Sequence, residues 1–518
     1  MNKNKWLWVL LLCIQAGWSY GQAEHQILVR NANSLEFNDL VSGAQRLIGN
    51  VIFEHEGTLL YCDSAYLYDQ TNRLEAFSNV RIVSDSATIT GDRLFYDGKT
   101  RIADISGKVV RLTDPGTRLI TDRLSFDTAK NLASYSNGGE IESTRSKNRL
   151  KSTKGQYNSQ EKVFYFQNRV TITNPDYRLY SDTLKYTTGN ETAWFYGPTN
   201  IITGSDSIYC EKGFYTMKEG NSLFEKNASI HSKGKSVRAG EIHYKQKLGE
   251  ALVKHRVRIV DSTENIVITG NWAKYNDKTG RMIVTDSALL EQKFSGDTLV
   301  LHADTLYSIT DTTIKKKLLR AFHKVKFYTR DFQGKCDSLT YQERDSLMEL
   351  FKSPVIWNNE NQLSGDSIKI QMANQEMRTL YLRNAGFIVS IEDSLHFNQI
   401  RGKHITGHFV AGKLKTIEVQ GNGQSVYFAK NDAGEYIGVN KADCSNILIQ
   451  IDSSKVRSIS FLTKPDAILY PVNSLSPQEL RLRGFAWFGQ MRPLNRRDVF
   501  YWQESAVLPK TSRRNKAN

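Results

Sequence analysis

Few side chains in the sequence are spaced for chemistry. His404 and His408 form the closest histidine pair, and a metal site would need both imidazoles on one ion. In a strand, residues i and i+4 lie roughly 13 Å apart, too far to share a metal. Gly402 and Gly407 disfavour the helix that would bring the two rings together. The sequence therefore predicts no metal, no cofactor and no catalytic residue.

Enzyme motifs give the same result. The chain has no Gly-x-Ser-x-Gly elbow, no Walker phosphate loop and no Gly-x-Gly-x-x-Gly turn. Asp-Ser pairs such as Ser84-Asp85-Ser86 recur, which is typical of turns rather than of nucleophiles. A polysaccharide-degrading β-helix would place two carboxylates about 5–9 Å apart, and the recurrent aspartates satisfy that spacing trivially. A polysaccharide-degrading enzyme therefore stays open as a lesser alternative, beside a structural or adhesive β-repeat protein.

The recurrent aspartates belong to an internal repeat. A small residue, then Asp, then alternating apolar residues occur at Cys62-Asp63, Gly91-Asp92, Thr121-Asp122 and Ser181-Asp182. The anchor positions are 63, 92, 122, 154, 182, 211, 241, 271, 304, 337 and 366, which step by 28 to 33 residues. Such a period indicates one supersecondary unit that buries its apolar face only by stacking on its neighbours.

Within each repeat, apolar and polar residues alternate with period two, which predicts half-buried strands. A second pattern, Val-x-Ile or its like, lies between the anchors. The residues predicted to share the inward face are Val80, Ile82, Leu94, Tyr96, Leu124, Phe126, Val170, Ile172, Leu184 and Tyr186. In a stacked array they form a continuous apolar stripe, which is either a packed core or an open groove.

The four cysteines after the N-terminal segment are Cys62, Cys210, Cys336 and Cys444. The first three precede the anchor residue of distant repeats, so stacking at ~4.8 Å per strand separates them by tens of ångströms. A disulfide needs Cα atoms within about 7 Å. We therefore expect isolated, buried thiols.

The N-terminus predicts export. Lys3 and Lys5 precede a short apolar run over 6–14, and Ser19-Tyr20-Gly21 supplies small residues for cleavage, as in a secretory signal peptide over 1–21. The formal net charge of +15 would suit nucleic acid, but an exported chain meets little of it and no nucleic-acid-binding motif occurs. With 40% hydrophobic and 11% aromatic residues, the chain is not disordered.

The string of Asp-x-Leu-x-Tyr and Val-x-Ile segments behind a signal peptide resembles the OstA-like family. This family includes the periplasmic lipopolysaccharide-transport protein LptA and the N-terminal domain of LptD. The resemblance is clearest over 45–190, and it implies an all-β fold of repetitive stacked antiparallel strands, a solenoid-like β-jellyroll or β-taco. About thirteen units of ~30 residues would fill 22–460, as one stack or as several with breaks near 285–320 and 395–440.

The resemblance also implies a function. It is that of a non-enzymatic periplasmic protein that carries the lipid A acyl chains of lipopolysaccharide in an apolar groove toward the outer membrane. The ten inward residues would then contact lipid. Other lipopolysaccharide-transport proteins of the inner- and outer-membrane complexes would be partners through β-strand addition, and self-association is possible.

The two ends of the array differ in sequence. The N-terminal edge near Ile27-Leu28-Val29 has nothing to block strand addition, because no helix signal or proline is present. At the other end, residues 461–518 are predicted to form a cap and a basic tail. Ser476-Pro477-Gln478-Glu479 carries the signals of a short capped helix, and we expect this segment to cover the last strand.

Overall fold

The structure is a computed structural model, and it describes residues 26–37, 43–85, 87–143, 147–294, 296–311, 313–314, 316–373, 376–411, 413–431, 433–452 and 455–502. The predicted signal peptide and the basic tail from Lys510 lie outside these residues.

The chain forms two compact units, unit 1 (Met1–Gly189) and unit 2 (Asn190–Asn518). The strands of unit 1 are β1 (Leu28–Asn31), β2 (Ser34–Phe37), β3 (Gln45–His55), β4 (Thr58–Tyr68), β5 (Arg73–Ser84), β6 (Ala87–Asp97), β7 (Ile102–Asp114), β8 (Thr117–Asp127), β9 (Leu132–Tyr135), β10 (Gly139–Ser143), β11 (Arg149–Ser152), β12 (Lys154–Asn158), β13 (Val163–Thr173) and β14 (Arg178–Thr187). A 3₁₀ turn, η1 (Asp69–Thr71), joins β4 to β5.

Unit 2 contains β15 (Thr192–Phe195), β16 (Thr199–Thr203), β17 (Asp206–Cys210), β18 (Lys212–Thr216), β19 (Asn221–Ser232), β20 (Lys235–Lys245), β21 (Glu250–Asp261), β22 (Ile266–Asn276), β23 (Arg281–Lys293), β24 (Thr298–Thr310), β25 (Lys317–Tyr328), β26 (Phe332–Gln342), β27 (Leu347–Phe351), β28 (Val355–Asn358), β29 (Asn361–Ser364), β30 (Ser367–Ala373), β31 (Glu376–Ile391), β32 (Phe397–Val410), β33 (Lys413–Lys430), β34 (Tyr436–Asp452), β35 (Lys455–Leu462) and β36 (Asp466–Tyr470), with the 3₁₀ turns η2 (Gly489–Met491) and η3 (Asp498–Phe500).

Strand pairing is antiparallel throughout both units. In unit 1, each strand from β3 to β8 pairs with the next, and in unit 2 the same holds from β19 to β26. The all-β repeat fold is therefore confirmed. Strands β23 to β25 and β32 to β34 pair with their neighbours through bulges, so the described residues of 285–320 and 395–440 show no break between successive strands.

Many long strands bend sharply near their middle. At Ser78-Asn79, Lys226-Asn227 and His255-Arg256, two successive residues have positive φ, and the strand register shifts there. Such a bulge places extra residues on one strand and turns the backbone. Asparagine is frequent at these bends because its side chain tolerates the left-handed region better than most. Each bend is a corner at which the sheet folds on itself.

The repeated acidic residue lies at this corner. Asn79 at the bend of β5 donates its amide to Asp63 Oδ2 on β4 at 2.7 Å, and the backbone N–H of Lys108 donates to Asp92 Oδ2 at 2.7 Å. In unit 2, Asn227 donates to Glu211 Oε1 at 2.8 Å. The thirty-residue period therefore counts corners, since the carboxylate on one strand accepts a hydrogen bond from the bulge on the next.

The small residue before each anchor points into the corner. A Cβ on Gly91 would lie 2.5 Å from Cγ2 of Ile105, and one on Gly270 would lie 2.7 Å from Cγ1 of Val284. Cys62 and Cys210 take the equivalent place and are buried. All four described cysteines are free, and burial raises the pKa of the Cys62 thiol to about 12.

The corner divides the sheet of each unit into two walls. In unit 1, wall A includes Val51–His55, Thr58–Cys62 and Val80–Ser84, and wall B includes Ser64–Tyr68, Arg73–Phe77 and Arg93–Asp97. In unit 2, wall A includes 228–232, 257–261, 288–293 and 325–328, and wall B includes 221–225, 250–254, 281–285 and 317–322. Both walls bury the same face of the sheet, and the core lies between them.

The C-terminal segment differs from its prediction. The capping box forms, because Ser476 Oγ and Glu479 exchange hydrogen bonds, but it encloses a single turn and not an α-helix. The chain beyond this turn has no apolar face of helical period to support further turns. Residues 479–502, here called the strap, run back over the earlier strands of unit 2. The last strand, β36, is exposed over most of its length and is not covered by the strap.

Candidate functional site

The ten residues predicted to face inward all lie in unit 1 and all are buried. Val80, Ile82, Val170 and Ile172 belong to wall A, whereas Leu94, Tyr96, Leu124, Phe126, Leu184 and Tyr186 belong to wall B. None of the ten is more than 3% exposed. The structure brings them together in a closed interior, where they serve as packed core.

The interior of unit 1 is closed by whole rows of side chains. Residues directly opposite one another in an antiparallel ladder share a face of the sheet. On wall B, the row one position in from the strand tips is Leu67, Leu74, Tyr96, Ala103, Phe126, Ala133, Tyr157, Phe164 and Tyr186. All nine are at most 3% exposed, so no apolar surface is open to solvent along this row.

Polar contacts join the tips of the two walls across the mouth of unit 1. His55 on wall A lies 2.6 Å from the Tyr96 hydroxyl on wall B, and Arg101 forms an ion pair with Glu56 at 3.2 Å. Further along, Ser84 Oγ donates to Asn131 at 3.3 Å. These contacts hold the walls together where an amphiphile would have to enter.

The same mouth has a buried carboxylate at its far end. Asp114 on wall A accepts hydrogen bonds from the Tyr157 hydroxyl and from Lys162 Nζ, both on the opposite wall. Burial, with the hydrogen bond to Asp114, raises the pKa of Tyr157. A small cleft beside this contact, between Pro115 and Tyr186, has a volume of about 10 Å³. That is room for about one water molecule and not for an acyl chain.

In unit 2, the side chains of the equivalent row are more exposed to solvent. The corresponding wall B row is Tyr244, Ala251, Tyr275, Met282, Ser308, Leu319, Tyr341 and Met348. Seven of these residues are half-buried, and Tyr275 is 42% exposed. The row is therefore less buried than its counterpart in unit 1, and the slot that it lines is here called the unit 2 groove.

The opposite side and the floor of the groove are also apolar. On wall A, Ile230, Val237 and Ile259 share a face and are half-buried. Further along the same row, Ile268, Leu290 and Leu301 are buried. One position deeper on wall B lies a fully buried row made of Phe224, Ile242, Val253, Ala273, Val284, Leu306, Ala321 and Leu339. An ion pair between Glu264 and Lys317 joins the two walls at one point of the mouth.

Four basic side chains lie on the rim above the first strands of the groove. Lys245, Lys247, Lys278 and Arg281 lie at the tips of wall B and are exposed. Asp277 lies among them and accepts a hydrogen bond from the Tyr244 hydroxyl. Cations above an apolar slot fit a ligand that has anionic groups at one end and hydrocarbon at the other, because exposed positive charge attracts anions over about a Debye length.

The sequence did not distinguish these two interiors. Both units alternate apolar and polar residues with the same period, so the sequence pattern of the unit 2 row is the same as that of the unit 1 row. Side-chain volume along the row gives no clear signal either, because the unit 1 row includes Ala103 and Ala133, whereas the unit 2 row includes Tyr244, Tyr275 and Tyr341.

Two family models match the chain. Residues 24–182 match the model for OstA-like protein, and residues 267–376 match the model for LptA/(LptD N-terminal domain) LPS transport protein. Together they span just over half of the sequence. The chain belongs to the OstA-like family of lipopolysaccharide-transport proteins. The first match covers the closed interior, and the second covers the C-terminal half of the unit 2 groove.

Other comparisons add little to this assignment. A solved structure with partial likeness is LptH, the LptA homologous periplasmic component of the conserved lipopolysaccharide transport device from Pseudomonas aeruginosa. It is 14% identical, the match covers 28% of this chain and 80% of that chain, and the TM-score is 0.17. At that TM-score the likeness carries no argument. No curated protein matches the chain in sequence.

Within the described ranges, no helix is long and apolar enough to span a membrane. The same part of the chain has no group of three or more His, Cys, Asp or Glu side chains placed to hold a metal ion. His404 and His408 lie on one strand, β32, and His408 pairs with Glu418 at 3.5 Å.

Proposed function

We propose that this protein carries lipopolysaccharide through the periplasm and that the acyl chains of lipid A lie in the unit 2 groove. The observation that carries the proposal is the partly exposed, mainly apolar row from Tyr244 to Met348, which faces the half-buried Ile230, Val237 and Ile259 at one end. The family model for lipopolysaccharide transport overlaps the groove over 267–376. No covalent chemistry is needed, and the proposed role is not that of an enzyme.

Hydrocarbon burial supplies the driving force. Shielding one methylene from water is worth about 0.8 kcal/mol, so a few methylenes per acyl chain give useful affinity. The partly exposed row of wall B runs over eight strands, β20 to β27, which at ~4.8 Å per strand gives roughly 35 Å. Wall A faces it with partly exposed apolar residues over β19 to β21. Lys245, Lys247, Lys278 and Arg281 would face the phosphates and sugars, which stay in water.

The ten residues predicted to face inward are not assigned to lipid binding in this proposal. Leu94, Leu124 and the other eight are core in the closed state of unit 1. They would meet lipid only if the contacts His55–Tyr96 and Glu56–Arg101 separated. We therefore assign lipid to the unit 2 groove and leave the unit 1 interior as a structural element.

Partners would join at the strand edges. Leu28 and Val29 on β1 are 50% and 40% exposed, and β1 pairs with β3 on one side. At the other end, Ile468 and Leu469 on β36 are 49% and 54% exposed. Unpaired backbone groups at such edges accept a strand from another chain, so transport proteins or a second copy could add at either end.

Two experiments test the function. Lipopolysaccharide should co-purify with the full chain and be detected by mass spectrometry after extraction. In cells, depletion of the protein should leave newly made lipopolysaccharide in the inner membrane. Protein that is free of lipopolysaccharide after gentle purification, together with normal surface delivery on depletion, would contradict the proposal. Cleavage of glycan by the pure protein would instead favour an enzyme.

A further inference from the structure

The strap crosses the outer face of wall A in unit 2, on the side away from the groove. Its contacts run along the stack from β34 to β23 and then turn back toward β24 and β25. Lys441 on β34 donates to the carbonyl of Glu479, Gln399 on β32 contacts 480–482, and Gln362 on β29 contacts 486–488. Lys335 on β26 contacts Met491, Arg496 pairs with Glu291 on β23, and Phe500 packs on His302 of β24. The strap is irregular, with the 3₁₀ turns η2 and η3 between open stretches of chain.

Two buried glutamines bind the strap backbone in the same way. Gln362 donates to the carbonyl of Ala486 at 2.7 Å and accepts the N–H of Phe488 at 2.7 Å. Gln399 donates to the carbonyl of Leu480 at 2.7 Å and accepts the N–H of Leu482 at 2.9 Å. Each amide thus bridges residues i and i+2 of an extended chain. These contacts use main-chain atoms of the strap, so they do not depend on its sequence.

Apolar sockets lie between these glutamines. Trp357 and Val355 pack with Met491 and Phe488, and Val426, Phe428 and Val439 pack with Leu480 and Leu482. In unit 1, the outer face of wall A is exposed at Arg81, Arg111 and Arg118, and no described segment covers it in this way. The outer face beneath the strap is therefore shaped to receive an extended polypeptide.

Two buried lysines beneath the strap have no acidic partner among its described contacts. Lys326 and Lys335 lie directly opposite each other on neighbouring strands, and they are only 4% and 9% exposed. Lys326 donates to the carbonyl of Tyr501, and Lys335 contacts the thioether of Met491 and the rings of Phe488 and Trp502. Among the described residues, neither ammonium group contacts a carboxylate. Asp498 acts on Lys326 from a longer distance.

This arrangement is unfavourable for the strap. Burial lowers the pKa of both lysines, and the charge of Lys335 lowers that of Lys326 further. A buried charge is tolerated best when an opposite charge and hydrogen bonds satisfy it. A chain segment with a carboxylate at the place of Met491 would satisfy Lys335 better than the thioether does.

We propose that the outer face of wall A between β25 and β34 is a docking surface for an extended polypeptide segment of a partner protein, with an acidic side chain opposite Lys326 and Lys335, and that the strap covers this surface in cis. The strap is held through side chains and not through ladder hydrogen bonds of the sheet. It can leave, therefore, without breaking a strand pair.

The test uses the full chain, with the hydrogen bonds from the strap backbone to wall A removed by substitutions in the strap. Leu482→Pro with Phe488→Pro removes both N–H groups that Gln399 and Gln362 accept, and leaves the wall unchanged. Two fluorescent peptides of residues 479–502 are then titrated, one native and one with Met491→Glu. The Met491→Glu peptide should bind the uncovered chain at least tenfold more tightly, whereas the chain with its native strap should bind neither in the same concentration range.

Equal or weaker binding of the Met491→Glu peptide, or no binding of either peptide to a folded double variant, would overturn the proposal. If the double variant does not fold, Met491→Glu is placed in the full chain. Hydrogen exchange at the Phe488 amide should then slow at least tenfold. Leu494→Glu is the matched control, because Leu494 lies in the strap at 73% exposure and should leave this exchange rate unchanged. Unchanged or faster exchange in Met491→Glu would reject the docking surface.

Discussion

The two interiors are built from the same repeat and differ in one property. In unit 1, the wall B row from Leu67 to Tyr186 is sealed, and polar contacts join the wall tips across the mouth. In unit 2, the equivalent row from Tyr244 to Met348 is partly exposed, and the rim above its first strands includes Lys245, Lys247, Lys278 and Arg281. The difference teaches that a stacked β-repeat becomes either a core or a groove according to how its walls meet, since strand pairing is alike in both.

The largest expected effect separates core from groove by stability. Phe126→Ala removes a fully buried ring from unit 1 and should lower the free energy of unfolding by about 3–5 kcal/mol, because a cavity replaces the ring. Tyr275→Ala removes a ring that is 42% exposed in unit 2 and should cost much less. Hydrogen exchange of β7 and β8 amides in the first variant, and of β22 and β23 amides in the second, measures both. Equal losses would show that the two interiors are packed alike.

The next effect concerns ligand affinity in the groove. Met282→Asn places an amide against the acyl chains and should weaken binding of a fluorescent fatty-acid probe roughly tenfold, because an amide in hydrocarbon loses its hydrogen bonds to water. Ile283→Asn is the matched control, since Ile283 is also half-buried but points to the other face of β23. A similar loss of probe binding in both variants would place the binding site elsewhere.

A smaller effect is the pH dependence of strap docking. Burial lowers the pKa of His302, whose ring packs on Phe500 of the strap. The docked state thus binds fewer protons than the free state. Docking should weaken as the pH falls from the ordinary histidine value of 6.5 to the lowered value, and level off below it. The measurement is hydrogen exchange at the Leu482 amide, corrected for its intrinsic pH dependence.

His302→Asn should flatten this pH window, because asparagine does not titrate. Lys326 and Lys335 act in the same direction at higher pH, since their pKa values are also lowered by burial. Docking should therefore strengthen as the pH rises toward the ordinary lysine value. A pH profile of His302→Asn that matches the native profile below pH 6.5 would exclude the imidazole as the cause.

The sequence predicted the fold because the repeat is local. Period-two alternation predicts strands, and the thirty-residue step predicts stacking, so the all-β array and the buried positions of Leu94 and Val80 followed from pattern alone. The corner was not predicted, although the chain marks it twice, by the small residue before each anchor and by asparagines such as Asn79. Its geometry depends on φ values and on contacts between neighbouring strands.

The strap and the groove were beyond the sequence for a different reason. The contacts of Gln362 with 486–488 join residues more than a hundred positions apart, and no periodicity connects them. The capping box at Ser476 was correctly predicted, yet the helix was wrong because nothing after it continues a helical face. Exposure of Tyr275 depends on the separation of two walls, which side-chain pattern does not encode.

Site-specific photocrosslinking tests the central claim most directly. Benzophenone side chains are placed singly at Tyr275 in the unit 2 groove, at Lys274 on the opposite face of the same strand, at Leu94 in the unit 1 interior and at Arg93 beside it. We predict that lipopolysaccharide is captured strongly from position 275 and only at background level from the other three. Equal capture from 94 and 275, or from 274 and 275, would contradict the assignment of the lipid to an open groove in unit 2.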